Sequence, residues 1–203
     1  MGYYIFSLGI KTDQIQKAFG SKDDALLGEV ENNPIFQNYV DNDFGDNITT
    51  EQALVHLING KPMDKKVSYA YGYATIGLCA TLGTELPYVQ EIKSGYETDL
   101  INKVLAEDFG IADFKIEEVL LADNSHPFPL PKIEDWPVIG LVRGHQLKSL
   151  GDKLNRLNIT DDQIEELSDD PDEKGFAYEH LKGITDNVNF CIQNNIDLVS
   201  FCH

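Results

Sequence analysis

Histidine and cysteine are the side chains best suited to metal binding, proton transfer or nucleophilic attack, so their spacing bounds the available chemistry. His56, His126, His145, His180 and His203 include no pair three or four residues apart, the separation that sets two imidazoles on one helix face for a metal. A metal site would have to be gathered from distant segments, and neither a metal nor a cofactor is expected. Cys79, Cys191 and Cys202 are an odd number at wide spacing with no CxxC pair. They read as small apolar core residues rather than as a disulfide framework or a reactive thiol. His145 is the best single polar candidate, because it follows Arg143 and Gly144 directly after the apolar run PVIGLV. Strand ends are where open α/β sheets often hold ligands. A helix-start residue making ordinary hydrogen bonds accounts for the same position. Asp123 and His126 would serve as acid and base only if buried together.

The run Asp41-Asn42-Asp43-Phe44-Gly45-Asp46-Asn47 has carboxylates at alternate positions, as a calcium loop does. It fails in detail, since the sixth and twelfth places hold Asp46 and Gln52 where an EF-hand requires Gly and Glu. A solvated turn explains the same residues. There is no GxSxG elbow, no phosphate-binding Gly-rich loop, no GxGxxG after a strand and no HExxH. Catalysis by groups from distant loops would leave no such signature, so an enzyme is neither indicated nor excluded.

Charge is more informative about partners. Sixteen Lys and Arg against 34 Asp and Glu give a formal charge of −18, a field that repels phosphate backbones and anionic lipid. Nucleic acid and membrane surfaces are therefore not expected partners. A basic protein is the partner such a field would steer in, although acidity also serves solubility. Two stretches concentrate it. Asp161 to Glu173 holds eight acids and no basic residue, and Asp23 to Gly60 holds eight more with no Lys or Arg. The N-terminal MGYYIFSLGI reads as a strand rather than a signal peptide, which together with the cysteines leads to a cytoplasmic expectation.

Positioning these groups falls to a mixture of helices and strands. With 42% hydrophobic and 25% charged residues, 203 residues can bury a core without staples. Tyr3 to Ile10 is apolar on both faces, as is the closing IDLVSFC, and both should lie in one covered sheet. Thr12 is placed to cap a short helix ended by Gly20, and Ser21 to start a second, broken at Asn33-Pro34. Thr49 with Gln52 and Thr160 with Gln163 form capping-box pairs, and Gly60 closes the helix ALVHLI. Val67 to Thr84 is uncharged over eighteen residues but too rich in Tyr, Gly and Thr to span a bilayer. It reads as a central helix buried nearly all round, with Tyr73, Ile76 and Ala80 inside. Further helices follow at 96–109, 145–157 and 176–194, and a short strand at PVIGLVRG. Residues 122–137 hold four of the eight prolines and read as an extended connection, the one candidate internal boundary in a single domain of residues 1–203. The expected fold is α+β or mixed α/β, helix-rich around a small sheet containing both terminal strands, with about four to six strands and six to eight helices.

The segments MGYYIFSLGIKTDQI, ALVHLINGKP, PVIGLVRGHQLKSLGDKL and NIDLVSFCH resemble, in layout, the YfbM-like proteins of unknown function. The resemblance rests on an MG-led strand, an early helix closing on the turn Leu57-Ile58-Asn59-Gly60, and a short apolar strand at the end. It implies a fold and no catalytic residue.

Two classes of function stay open. One is a non-catalytic acidic module that binds a basic protein, such as an immunity-type inhibitor of a basic toxin. The other is a small-molecule-binding protein or enzyme with a cleft between the central helix and residues 122–145, where Tyr71, Tyr73, His126, Arg143 and His145 would converge.

Overall fold

The computed structural model describes residues 2–41, 47–122 and 127–203. Its frame is a four-stranded antiparallel sheet of β1 (Tyr4–Ile10), β2 (Ile92–Lys93), β3 (Val138–Val142) and β4 (Asp197–Cys202), in the order β2-β1-β4-β3. The terminal strands are thus the two central ones, paired from Ile5 opposite Cys202 to Ile10 opposite Asp197. An all-round apolar sequence requires this position, because a central strand is covered on both faces and has no exposed edge. Alternation then assigns the faces. Leu8, Ile10, Ile139, Leu141, Val199 and Phe201 point one way; Ile5, Val142, Leu198 and Cys202 point the other.

On the first face lies α5 (Ser68–Leu82), set against the sheet through Ile76 and Cys79. Its far side is covered by α2 (Asp24–Glu31), α3 (Pro34–Asp41) and α4 (Thr50–Asn59), through Val30, Phe36, Leu54, Leu57 and Ile58. Sandwiched between sheet and helices, α5 has no polar face, as its sequence requires. Ile76 is fully buried, while Tyr73 and Ala80 are half-buried. Gly77 permits the close crossing, since a Cβ there would stand 2.5 Å from the Phe36 ring. The second face carries α6 (Glu97–Glu107), α8 (Gly144–Leu154) and α10 (Lys174–Asn194), with α7 (Ile116–Leu120) and α9 (Asp161–Glu166) at their margins. No helix among the described residues is long and apolar enough to cross a membrane.

Both capping boxes form as the spacing requires: Thr49 and Thr160 accept from the N–H groups of Gln52 and Gln163, whose side chains accept in return. Gly60 ends α4 at φ 65°. Two expected caps are displaced. Thr12 lies inside the first turn of α1 (Thr12–Ala18), and its hydroxyl donates instead to Asp197 at 2.6 Å. Asp23, not Ser21, caps α2, accepting from the N–H groups of Ala25 and Leu26. Asn33-Pro34 divides two helices, with Pro34 opening α3 where its missing N–H costs nothing. Ten α-helices are present among the described residues, more than the six to eight expected, because the chain resumes a helix at Pro34 to form α3 and because α7 is too short to carry a periodic signal. Between Pro127 and Pro137 no regular element forms, yet Phe128, Leu130 and Ile133 pack into the core beside α5.

Candidate functional site

The end of the sheet where β1 begins and β4 finishes is closed by helix side chains. His203 follows β4 and is fixed by backbone: its N–H donates to Tyr4 O (3.2 Å), and its carbonyl accepts from Tyr4 N (3.0 Å). Alternation sends its imidazole to the same face as Phe201 and Val199, toward α5. There it meets Phe6 from β1, Tyr39 from α3 and Tyr73 from α5, edge-on to all three rings at 5.5, 5.1 and 6.3 Å. Tyr39 stacks on Tyr73 at 4.9 Å between ring centres, and its hydroxyl is 2.9 Å from His203 Nε2. Burial raises Tyr39 well above the usual phenol range, with Tyr73 adding to the effect, and raises Tyr73 as well. Burial lowers His203, with Glu91 opposing. At neutral pH the cluster is therefore an uncharged network, in which either Tyr39 or His203 donates according to the imidazole tautomer.

A cleft of about 570 Å³ opens over this cluster. Tyr4, Ile35, Asn38, Thr50 and the segment Val89–Glu91 also line it. Val89 is 90% exposed, an aliphatic side chain left in water at the mouth. Tyr3, half exposed beside β1, stacks on Trp136 at 3.9 Å between ring centres. The wall bearing Val89 and Glu91 is pinned from behind. Asn187, fully buried on α10, accepts from Tyr88 N and donates to Tyr88 O, each at 2.9 Å. The Tyr88 hydroxyl lies 2.9 Å from His180 Nδ1, and the other ring nitrogen of His180 is 3.4 Å from Glu97. Burial lowers His180, against the pull of Glu97 and Glu179, and pushes Tyr88 up to about 12. Beneath the same segment, Gln90 donates to Ser7 (2.9 Å), whose hydroxyl meets Ser200 (2.7 Å).

Of the residues singled out from sequence, Tyr73 lines the cleft. Tyr71 is fully buried behind α4, its hydroxyl accepting from Asp64 N (3.0 Å) and meeting His56 Nδ1 (3.1 Å). Arg143 and His145 are exposed at the start of α8, where Asp197 accepts from Gly144 N and Gln146 accepts from Arg143 N. That start follows Val142, which pairs with Leu198, whereas the cleft lies at the Cys202 end of the same strand. Tyr73 and the Arg143–His145 pair thus sit toward opposite ends of the sheet. His126, Asp123 and most of the Asp41–Asn47 loop lie outside the described residues. Tyr39, Phe6, Glu91 and His203 went unselected. The signal available for two of them was strand alternation, which puts Phe6 and His203 on the face of the long apolar helix. Among the described residues no group of three or more His, Cys, Asp or Glu is gathered as a metal would need.

Fold and cleft together define a helix-rich α+β protein whose terminal strands pair at the centre of an antiparallel sheet and end in an aromatic cleft. Over residues 1–203 the chain matches the family described as Domain of unknown function (DUF7691), and it belongs to that family. No curated protein and no solved structure gives a significant match.

Proposed function

We propose that this is a non-catalytic binding protein that docks a basic protein partner through the Tyr39–Tyr73–His203 cleft, in the manner of an immunity-type inhibitor of a basic toxin. The observation that carries the reading is the cleft itself, an open site walled by aromatic rings and lined at its mouth by exposed Val89 and Ile35. Tyr and Trp dominate the energetics of protein interfaces because large rings bury much area at small entropic cost. The charge of −18 supports a basic partner by steering and orienting it. The run 161–173 contributes less than its sequence suggests, since Lys182 meets Asp161 (3.4 Å) and Lys103 meets Asp172 (3.8 Å). Within the run 23–60, Asp24, Glu29 and Glu31 lie on α2 and Glu51 on α4, helices on the same face of the sheet as the cleft. Free, buried Cys79, Cys191 and Cys202 support a reducing, cytoplasmic setting. The layout shared with the YfbM-like proteins supports a common architecture and contributes no function.

A second reading is favoured by size, because about 570 Å³ falls within the roughly 300–1,000 Å³ of small-ligand sites. One experiment separates the two. Protein recovered from host lysate on the wild-type chain is identified, purified and titrated against wild type, Tyr39→Ala and Tyr73→Ala. Loss of about tenfold or more in affinity, as for residues at an interface centre, supports docking at the cleft. Unchanged affinity in both variants removes it, and a small molecule co-purifying with wild type but not the variants favours the second reading.

A further inference from the structure

We infer, resting on the binding reading above, that the group entering the cleft is a cationic side chain, a Lys or Arg of the partner. Among the described residues Glu91 is the one carboxylate lining the cleft, and no Lys or Arg lines it. The Tyr, Asn, Thr and Gln side chains that line it beside Glu91 carry no charge. The wall formed by α3 belongs to the stretch 23–60, which has eight carboxylates and no basic residue. An anion entering here is opposed by Glu91 and by the net charge of −18. A neutral apolar group gains contact with the rings but nothing from the field. A cation on an aliphatic stem gains from both, because aromatic faces are negative and attract cations most strongly where water is partly excluded. Glu91 is exposed at the mouth and close enough to His203 to act on it electrostatically, so it is placed to meet the charged head while the stem lies along Phe6 and Tyr73. Burial holds His203 below the ordinary imidazole value, so its ring does not oppose a cation at neutral pH.

The test uses n-butylammonium and n-butylguanidinium as side-chain probes and n-butanol as their neutral counterpart, titrated into the full chain. Ring-proton shifts of Tyr39, Tyr73 and His203 are followed by NMR. Both cations should bind saturably, at least one of them about tenfold more tightly than n-butanol, the factor corresponding to the usual strength of a partly desolvated cation on aromatic rings. Glu91→Gln, an exposed and conservative change, should shrink that preference while leaving n-butanol binding unaltered. Saturating n-butylammonium should displace the purified partner. Equal binding of cation and alcohol, or failure of either cation to shift the cleft resonances, overturns the cationic occupant. If Tyr73→Ala still weakens the partner in that case, the docking reading stands without it. Cation binding that does not compete with the partner overturns the assignment of the cation to a partner side chain. Partner affinity indifferent to Tyr73→Ala removes the docking reading itself.

Discussion

Replacing Gly183 with Ala is a sharp test of how the cleft wall is held. In an isolated helix the change is favourable by about 1 kcal/mol, since Ala loses less backbone entropy than Gly. In α10 the new methyl would overlap Cγ, Cδ1 and Cε1 of Tyr88, and the ring cannot simply swing away. Asn187 clamps the Tyr88 backbone on both sides and His180 meets its hydroxyl. Overpacking costs about 1–3 kcal/mol. Moving the Tyr88 backbone aside would break its two hydrogen bonds to Asn187, at about 1 kcal/mol each. With the propensity gain subtracted, the net loss is about 2–4 kcal/mol, of opposite sign to the helix effect alone. Gly28→Ala supplies the control, because Gly28 lies within α2 and a Cβ there meets nothing within 4 Å. That variant should gain up to about 1 kcal/mol. Urea unfolding followed by tryptophan fluorescence and circular dichroism measures both, the midpoint moving while the slope stays constant. A stable Gly183→Ala protein, with midpoint at or above wild type, would refute the pinning of residues 88–91 by α10.

Ile76→Ala removes three buried carbons between α5 and the sheet and should cost about 2–5 kcal/mol in the same assay, a loss below about 1 kcal/mol contradicting the layering. His180 and His203 are both held below the ordinary imidazole value by burial, so the unfolded chain takes up protons first as pH falls. Their contribution to stability should be fully present above about pH 6.5 and decline as pH drops through that value, a trend that His180→Gln and His203→Gln should flatten in melting curves collected from about pH 8 to 5. Cys79, Cys191 and Cys202 are buried with thiols pushed up by burial, Cys191 to about 12, and should resist a thiol reagent in the native protein and react together on unfolding. Rapid labelling of any of them under native conditions would place it nearer solvent than the structure does.

Where sequence patterns succeeded, the physics was local or depended on burial alone. Thr49-Gln52 and Thr160-Gln163 carry their capping geometry within one helical turn, so no distant residue is needed to read it. The uncharged stretch of α5 and the two all-apolar terminal strands have few places to go except the interior. The need for Gly at 183, where a ring from a segment nearly a hundred residues away packs against bare backbone, has no local trace. Thr12 had the right type for a cap, but a carboxylate 185 positions on offered a stronger partner. The cleft is the extreme case. Phe6, Tyr39, Tyr73, Glu91 and His203 come from three strand ends and two helices and meet only because β1 pairs with β4 while α3 crosses α5 at Gly77. Arg143 and His145 follow a strand as a ligand-binding pair would, but the backbone N–H groups of Arg143 and Gly144 are engaged in starting α8.

The measurement that bears most directly on an acidic binding protein is the association rate of the purified partner across ionic strength. If the field of the chain steers a basic protein to the cleft, the rate should fall steeply as the screening length shrinks from about 10 Å at 0.1 M salt to about 3 Å at 1 M, while dissociation changes little. Tyr73→Ala should instead raise the dissociation rate and leave the salt slope intact, because the ring acts only after contact. Association that does not respond to salt, or a partner with no excess of basic residues, would contradict the account.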